Sequence, residues 1–173
     1  MKIGIIYGTS MGNTQDVAEQ IKEHLGDAAD DPIEVIRFDP PDIAQYDVLL
    51  LGIPTWHVGE MQDDWEDVAE QYNIPQMNAK KVGFFGCGDQ AGYPTTFGDA
   101  FGHLWDIIEP AGPELIGRCS TDGYEFEESF GVRDGTFLGL MCDNDYQPEL
   151  TDDRIAAWCK QLKQELGLET VDA

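Results

Sequence analysis

The fold is decided by residues 7–14, Tyr7-Gly8-Thr9-Ser10-Met11-Gly12-Asn13-Thr14, which join an apolar run to a helix-like segment. In open α/β proteins, a short turn of this kind between the first strand and the first helix binds phosphate, because helix N–H groups point outward there and the helix dipole favours negative charge. The turn is rich in glycine and hydroxyl groups and has no Lys or Arg. It therefore predicts neutral donors for the terminal phosphate of a small cofactor, rather than a nucleoside triphosphate site.

Strand-like and helix-like segments alternate along the chain. The predicted strands are Lys2–Tyr7, Ile33–Phe38, Val48–Gly52, Lys81–Phe85, Glu114–Gly117 and Thr136–Cys142, and the predicted helices are Asn13–Leu25, Asp63–Asn73, Gly98–Glu109 and Thr151–Leu166, the last with Thr151 as its N-cap. This alternation favours an α/β fold in which helices cover both faces of a parallel sheet. Continuous apolar runs such as Leu49-Leu50-Leu51 are typical of strands buried on both faces.

We predict an open, doubly wound, five-stranded parallel sheet in a single domain over residues 1–173. The fifth and sixth strand candidates lie close together along the chain, separated by residues 119–135, which are rich in Gly, Glu and Asp and lack a helical period. We interpret residues 119–135 as a loop inserted into the last strand, and call this segment the insertion.

The composition is strongly acidic, with 34 Asp and Glu against 10 Lys and Arg and a formal net charge of -24. Such a surface repels nucleic acid and anionic membranes and attracts basic partners. It equally favours solubility and suits a saline habitat, and both interpretations stay open.

The cysteines predict neither a metal site nor a disulfide framework. Cys87, Cys119, Cys142 and Cys159 form no CxxC pair, and the three histidines are scattered. The start of the sequence does not look like a signal peptide, and no apolar run reaches the ~18 residues of a membrane span. We therefore expect a cytoplasmic protein with reduced thiols.

Two glycine-rich loops each carry one large aromatic residue, Trp56 after the third predicted strand and Tyr93 after the fourth. Loops at the carboxyl ends of parallel strands meet at one edge of the sheet, so the two rings could hold a flat ring system between them. Together with a phosphate anchor, this arrangement predicts flavin mononucleotide (FMN). Each aromatic residue alone could instead be a packing residue. We interpret Cys87 as a small buried filler and Trp65, Trp105 and Trp158 as core.

These stretches resemble the flavodoxins, specifically the long-chain type. The similarity runs nearly from end to end and is carried by residues 9–14, 54–60, 86–93, 120–124 and 147–151. Flavodoxin is itself the type example of strand order 2-1-3-4-5, with FMN at the switch point between the first and third strands. The resemblance therefore implies that topology here.

The resemblance also implies the site residues. Residues Thr9, Ser10, Met11, Gly12, Asn13 and Thr14 would wrap the phosphate, with Met11 in place of the usual threonine. Trp56 and Tyr93 would cover the two faces of the ring, Thr55, Cys87 and Asp145 would lie near the ribityl chain, and Gly88 and Asp89 would border the ring's pyrimidine edge. Pro54 and His57 flank this set, with His57 where Tyr or Asn is common. The Val58–Gly59 peptide would turn over on reduction, which a glycine makes sterically cheap.

The predicted function is a low-potential one-electron carrier with non-covalently bound FMN, working as a monomer without a catalytic residue or metal. Its partners would be basic-faced redox proteins: a flavoprotein reductase or low-potential donor, and an acceptor enzyme. Two alternatives remain open. A flavin-dependent reductase would need one face of the ring free for hydride transfer. A flavin-free, receiver-like signalling domain would need an acidic cluster after the first strand, where this chain has Tyr7-Gly8-Thr9.

Overall fold

The computed structural model describes residues 1–8, 12–56 and 60–168, except for the side chain of Trp56. The helices are α1 (Asn13–Leu25), α2 (Asp63–Val68), α3 (Asp99–Ile108) and α4 (Thr151–Glu165). The strands are β1 (Ile3–Tyr7), β2 (Ile33–Glu34), β3 (Val48–Gly52), β4 (Thr55–Trp56), β5 (Glu60–Met61), β6 (Lys81–Cys87), β7 (Glu114–Leu115), β8 (Cys119–Ser120), β9 (Val132–Arg133), β10 (Thr136–Phe137) and β11 (Gly139–Cys142). No helix within these residues is long and apolar enough to cross a membrane.

The central sheet is parallel and has the order β11-β6-β3-β1-β2, with β7 also paired to β6. Strand β3 lies in the middle and pairs along its whole length with β1 on one side and β6 on the other. Counting β7 and β11 as one interrupted strand, this is the predicted order 2-1-3-4-5. The predicted fold class is therefore confirmed.

The last strand is divided, as the sequence predicted. Strand β7 pairs with Lys81 and Val82 of β6, whereas β11 pairs with Phe84 to Cys87. The insertion is more than a loop, because its strands β8 and β9 form a small antiparallel sheet with β10, which directly follows it. The predicted strand Thr136–Cys142 is consequently wrong as one element: between β10 and β11, the N–H of Leu138 donates to the carbonyl of Gly131 at 2.9 Å, outside both sheets.

Several other boundaries differ from the prediction, most of them by one or two residues. The second strand ends at Glu34, and a 3-10 turn follows over Val35–Arg37. The second helix ends at Val68 and continues as a 3-10 turn over Ala69–Tyr72. Thr151 is the first helical residue of α4 rather than its N-cap, because the 3-10 turn Pro148–Leu150 leads directly into the helix and the Thr151 hydroxyl bonds to Asn144 Oδ1 instead.

Two apolar layers cover the sheet. Helices α1 and α4 pack on the face that carries Leu50, and α2 and α3 pack on the face that carries Leu49 and Leu51, as strand alternation requires. The tryptophans predicted to lie in the core do so: Trp65, Trp105 and Trp158 are 0%, 9% and 2% exposed.

Candidate cofactor site

The carboxyl ends of β1, β3, β6 and β11 meet at one edge of the sheet. Backbone hydrogen bonds join them: Gly8 N–H to the Gly52 carbonyl (2.9 Å), Ile53 N–H to the Phe85 carbonyl (2.8 Å) and Gly88 N–H to the Cys142 carbonyl (3.0 Å). The loops that follow these strands therefore leave the sheet side by side, as predicted. We call this region the cofactor edge.

Helix α1 begins at the cofactor edge. Its N-cap, Gly12, has a left-handed backbone (φ 87°), and a Cβ built on it would meet no atom within 4 Å. Among the described residues, no side chain caps this end of α1. The positive end of a 13-residue helix thus lies next to the predicted phosphate turn. Thr9, Ser10 and Met11 lie outside the described residues.

Asn13 and Thr14 open the helix in different environments. Asn13 is exposed, whereas Thr14 is buried and its hydroxyl hydrogen-bonds the Cys87 thiol. Burial raises the pKa of Cys87 to about 12, and the bond from Thr14 lowers it only in part. Cys87 is thus a neutral, unreactive thiol, as the sequence predicted.

The loop of residues 88–93, which we call the cofactor loop, is shaped by Asp89. Its Oδ1 accepts hydrogen bonds from the N–H groups of Ala91 (3.1 Å) and Gly92 (2.8 Å), and its carbonyl accepts one from Tyr93 N–H (2.9 Å). A Cβ on Gly92 would lie 2.4 Å from Asp89 Oδ2, so the turn requires glycine there. At the end of this tight loop, Tyr93 is 45% exposed, which is unusual for a large aromatic side chain.

The loop after β3 is a short hairpin. Pro54 is buried, and β4 pairs antiparallel with β5, with Trp56 opposite Glu60. Thr55 Oγ1 accepts from Ala100 N–H at 3.2 Å, so this hydroxyl bonds to the first turn of α3. His57, Val58 and Gly59 lie outside the described residues, as does the Trp56 side chain. The predicted pairing of Trp56 and Tyr93 across a ring therefore stays a prediction.

Two buried polar residues at the cofactor edge were missed by the sequence analysis. Gln90 and Asp143 are both 0% exposed, and they bond to each other. Nothing in the sequence distinguishes Asp143 from the other 33 acidic residues as a buried one. The only available signal was its position directly after an apolar strand.

The cofactor edge carries negative charge and no cation. Residues 7–14, 52–62, 86–99 and 142–149 contain no Lys or Arg. Asp145 is exposed, yet partial desolvation, together with the charges of Asp89 and Asp143, raises the pKa of its carboxyl group. An anion bound here would rely on N–H and hydroxyl donors, and a ring that gained negative charge would be disfavoured by its surroundings.

The topology defines a doubly wound α/β protein in which the carboxyl ends of the strands meet at the cofactor edge. The flavodoxin family model matches residues 5–158. The chain is 46% identical over 167 residues to a flavodoxin of Haemophilus influenzae, covering 96% of each, and 44% identical over 169 residues to flavodoxin 1 of Escherichia coli K12, covering 97% of this chain and 96% of the relative.

A solved structure is similar throughout. The flavodoxin of Fusobacterium nucleatum bound to flavin mononucleotide superposes with a TM-score of 0.85 at 32% identity, covering 95% of this chain and 98% of that one. The chain belongs to the flavodoxin family, whose members are electron-transfer proteins rather than enzymes.

Proposed function

We propose that this chain is a low-potential one-electron carrier that binds FMN non-covalently at the cofactor edge and passes electrons between redox proteins. The observation that carries the proposal is the meeting of loops without Lys or Arg from four strand ends around the start of α1. These residues fit FMN. The N-terminus of α1 at the cofactor edge suits a phosphate, and the exposed ring of Tyr93 suits a flat heterocycle.

The residues have distinct proposed roles. Residues 9–14 donate N–H and hydroxyl groups to the phosphate, and Trp56 and Tyr93 cover the ring and exclude water from it. Gly88 and Asp89 border the ring through backbone groups, while Thr55, Cys87 and Asp145 line the path of the ribityl chain. The Val58–Gly59 peptide would turn over on reduction and offer its carbonyl to the ring. When bound, FMN supplies a ring that accepts electrons one at a time.

The surroundings of the site account for a low potential. Two aromatic side chains and the carboxylates of Asp89, Asp143 and Asp145 disfavour additional negative charge, and no Lys or Arg lies in the loops to offset it. The second electron is therefore harder to add than the first, and the two reduction steps separate.

A purified sample tests the proposal. We expect visible absorption from bound flavin and a stepwise reductive titration with two resolved one-electron steps. Tyr93→Ala should weaken FMN binding roughly 30-fold, about 2 kcal/mol, from lost stacking and burial. Phe130→Ala, which removes an aromatic side chain of similar exposure (42%) outside the cofactor loop, is the matched control. A protein that binds no FMN, or that takes up both electrons in one unresolved step, would refute the proposal.

Basic-faced partners follow from the charge. Several cations are engaged internally: Lys22 donates to the Gly26 and Ala29 carbonyls, Lys80 to the Tyr46 carbonyl, and Arg118 to the Arg133 carbonyl. These cations therefore do little to offset the negative charge that a partner meets at the surface, and the net charge of the chain is -24. Electron transfer to a basic partner should slow as salt rises, because screening weakens the attraction. A rate independent of salt would contradict this account.

We further propose the long-chain subtype, based on the insertion, and a cytoplasmic monomer that folds as one domain. The -24 charge disfavours self-association, because identical molecules repel one another. Sedimentation at physiological salt should give the mass of one chain, 19.2 kDa plus FMN. A dimer under those conditions would contradict the monomer.

A further inference from the structure

We propose that Gln90 and Asp143 are positioning residues that fix the cofactor loop and join it to the insertion. The set comprises Gln90, Asp143, Gln147 and the backbone N–H of Glu125, and we call it the Gln90–Asp143 lock. The inference rests on the proposed FMN function and goes beyond it, because it gives the insertion a role at the site.

The Asp143 carboxylate is fully buried and saturated with hydrogen bonds. Its Oδ2 accepts from the backbone N–H (2.9 Å) and the side-chain amide (2.8 Å) of Gln90, and its Oδ1 accepts from the N–H groups of Asp145 (3.0 Å) and Tyr146 (2.8 Å). None of the salt bridges among the described residues includes Asp143. A buried carboxylate without a cation is tolerated only when such donors replace water. These bonds therefore determine how the cofactor loop lies relative to the turn at residues 143–147.

Gln90 joins three segments through one buried amide. Its Nε2 donates to Asp143 Oδ2 and to Gln147 Oε1 (2.9 Å), and its Oε1 accepts from the N–H of Glu125 in the insertion (2.5 Å). Gln90 lies between Asp89, which shapes the cofactor loop, and Tyr93, which we expect to stack on the ring. The orientation of Gln90 thus fixes the part of the loop that carries both residues.

Three further hydrogen bonds attach the insertion to β11 and to the turn that follows it at residues 143–147. Gln147 Nε2 donates to the Gly123 carbonyl (2.9 Å), the Tyr146 hydroxyl donates to Glu125 Oε2 (2.6 Å), and the Tyr124 hydroxyl donates to the Met141 carbonyl (2.5 Å). Movement of the insertion would break the hydrogen bond from Glu125 N–H to Gln90. The insertion therefore braces the cofactor loop.

Asp143→Asn tests the lock with little change in volume. An asparagine side chain has one acceptor oxygen, so its NH₂ group must face N–H donors on one side, whichever way it turns. We expect the FMN dissociation constant to rise at least tenfold and the visible circular dichroism of bound flavin to change. Asp122→Asn, which removes the same charge from an exposed position in the insertion, should alter the dissociation constant less than twofold.

Gln147→Ala is the milder variant, because it removes one Gln90 partner, one link to Gly123 and one bond from Arg154 but leaves the bonds to Asp143 intact. We expect a smaller increase in the dissociation constant, about threefold, in a protein that folds normally. A merely structural role would lower the urea midpoint of the variants without changing FMN affinity or the flavin spectrum, and that result would overturn the inference.

Amide hydrogen exchange separates the lock from general loop stability. In the parent protein, FMN should slow exchange both in the cofactor loop and at Glu125. In Gln90→Met the protection should stay within the cofactor loop, because the bond to Glu125 is gone. Equal protection of Glu125 in both proteins would refute the lock. If the parent binds no FMN, the proposed function fails as well; if the parent binds and Asp143→Asn behaves like Asp122→Asn, only the positioning inference fails.

Discussion

Trp65 allows the energetics of the cofactor edge to be measured. This side chain of α2 is 0% exposed, and its Nε1 donates to the Gly52 carbonyl at 2.7 Å. Gly52 ends β3, so the bond connects the helix layer with the strand end that borders the proposed site. Its indole Cδ1 would lie 2.7 Å from a Cβ on Gly8, which shows how closely the ring packs beneath the edge.

Trp65→Phe removes the hydrogen bond and part of the ring. Loss of the bond costs about 1 kcal/mol, and the Gly52 carbonyl keeps its bond from Gly8 N–H at 2.9 Å, so it is not left without a partner. The smaller ring leaves a cavity of roughly 40 Å³, which at about 24 cal/mol per Å³ costs about 1 kcal/mol more. We expect the free energy of unfolding to fall by about 2 kcal/mol.

Two other tryptophans serve as controls. Trp158→Phe also removes a bond from Nε1, at 2.8 Å to the Gly117 carbonyl, and should cost about the same. Trp105 packs edge-on against Phe84 at 6.1 Å, and among the described residues its ring nitrogen has no hydrogen bond, so Trp105→Phe should cost only about 1 kcal/mol.

Urea unfolding of the flavin-free proteins, followed by far-ultraviolet circular dichroism, gives these free energies. FMN titration then separates the two bonded tryptophans. Trp65→Phe should weaken FMN binding, because Gly52 lies at the cofactor edge, whereas Trp158→Phe should not, because Gly117 follows β7 beside the amino half of β6. The reasoning is refuted if Trp105→Phe costs as much as Trp65→Phe, or if Trp158→Phe weakens FMN binding to the same extent.

Three further predictions concern single positions. Gly12 and Gly135 both have a left-handed backbone and open space around a built Cβ, so alanine at either should cost about 1–2 kcal/mol of stability, yet only Gly12→Ala should weaken FMN binding; equal affinities would contradict the site. Asp145 has a folded-state pKa raised above 3.8, so its favourable contribution is complete below that value and is lost as pH rises through the folded pKa; Asp145→Asn should therefore exceed the parent in urea midpoint near neutral pH and match it in acid, and the opposite trend would refute the assigned cause. Because burial raises the pKa of Cys87 to about 12, a thiol reagent should modify it only as fast as the protein opens, with a rate that increases with urea; rapid labelling of the folded protein would contradict this.

The sequence was sufficient to predict the central sheet but not its margins. The runs at residues 48–52 and 82–87 are apolar throughout, and strands of that kind belong in the middle of a parallel sheet. Strand β2 lies at the margin of the sheet and pairs with β1 alone among the described strands. The apolar pattern of Ile33–Phe38 does not reveal that the strand ends early and that Ile36 is 57% exposed in a turn. Cys119 at the start of the insertion pairs with Phe137, just after its end, across a segment whose composition has no strand period, so only the folded structure reveals their sheet.

The residues of the candidate site also fall into two groups: those with a local sequence signature and those whose place depends on distant segments. Turn residues, glycines and aromatic residues in loops have local signatures, so the sequence alone supports definite predictions for the phosphate turn and the loops of Trp56 and Tyr93. Burial of a polar side chain is decided by distant segments, and Gln90 meets Asp143 across 53 positions of the chain. For the same reason, the bond from Ala100 N–H to the Thr55 hydroxyl could not be foreseen, because the partners lie 45 positions apart.

The interrupted last strand has a consequence for the evolution of chain length. The chain leaves the sheet beside Val82 and returns beside Phe84, so the departure and return points are separated by a single residue of β6. A detour whose ends are neighbours can grow or shrink at small entropic cost, without altering the order or register of the parallel strands. Such changes would nevertheless affect the cofactor edge, because Glu125 in the insertion bonds to Gln90 of the cofactor loop. Variation in the length of this segment could thus change the affinity for the cofactor during evolution while the sheet stays the same.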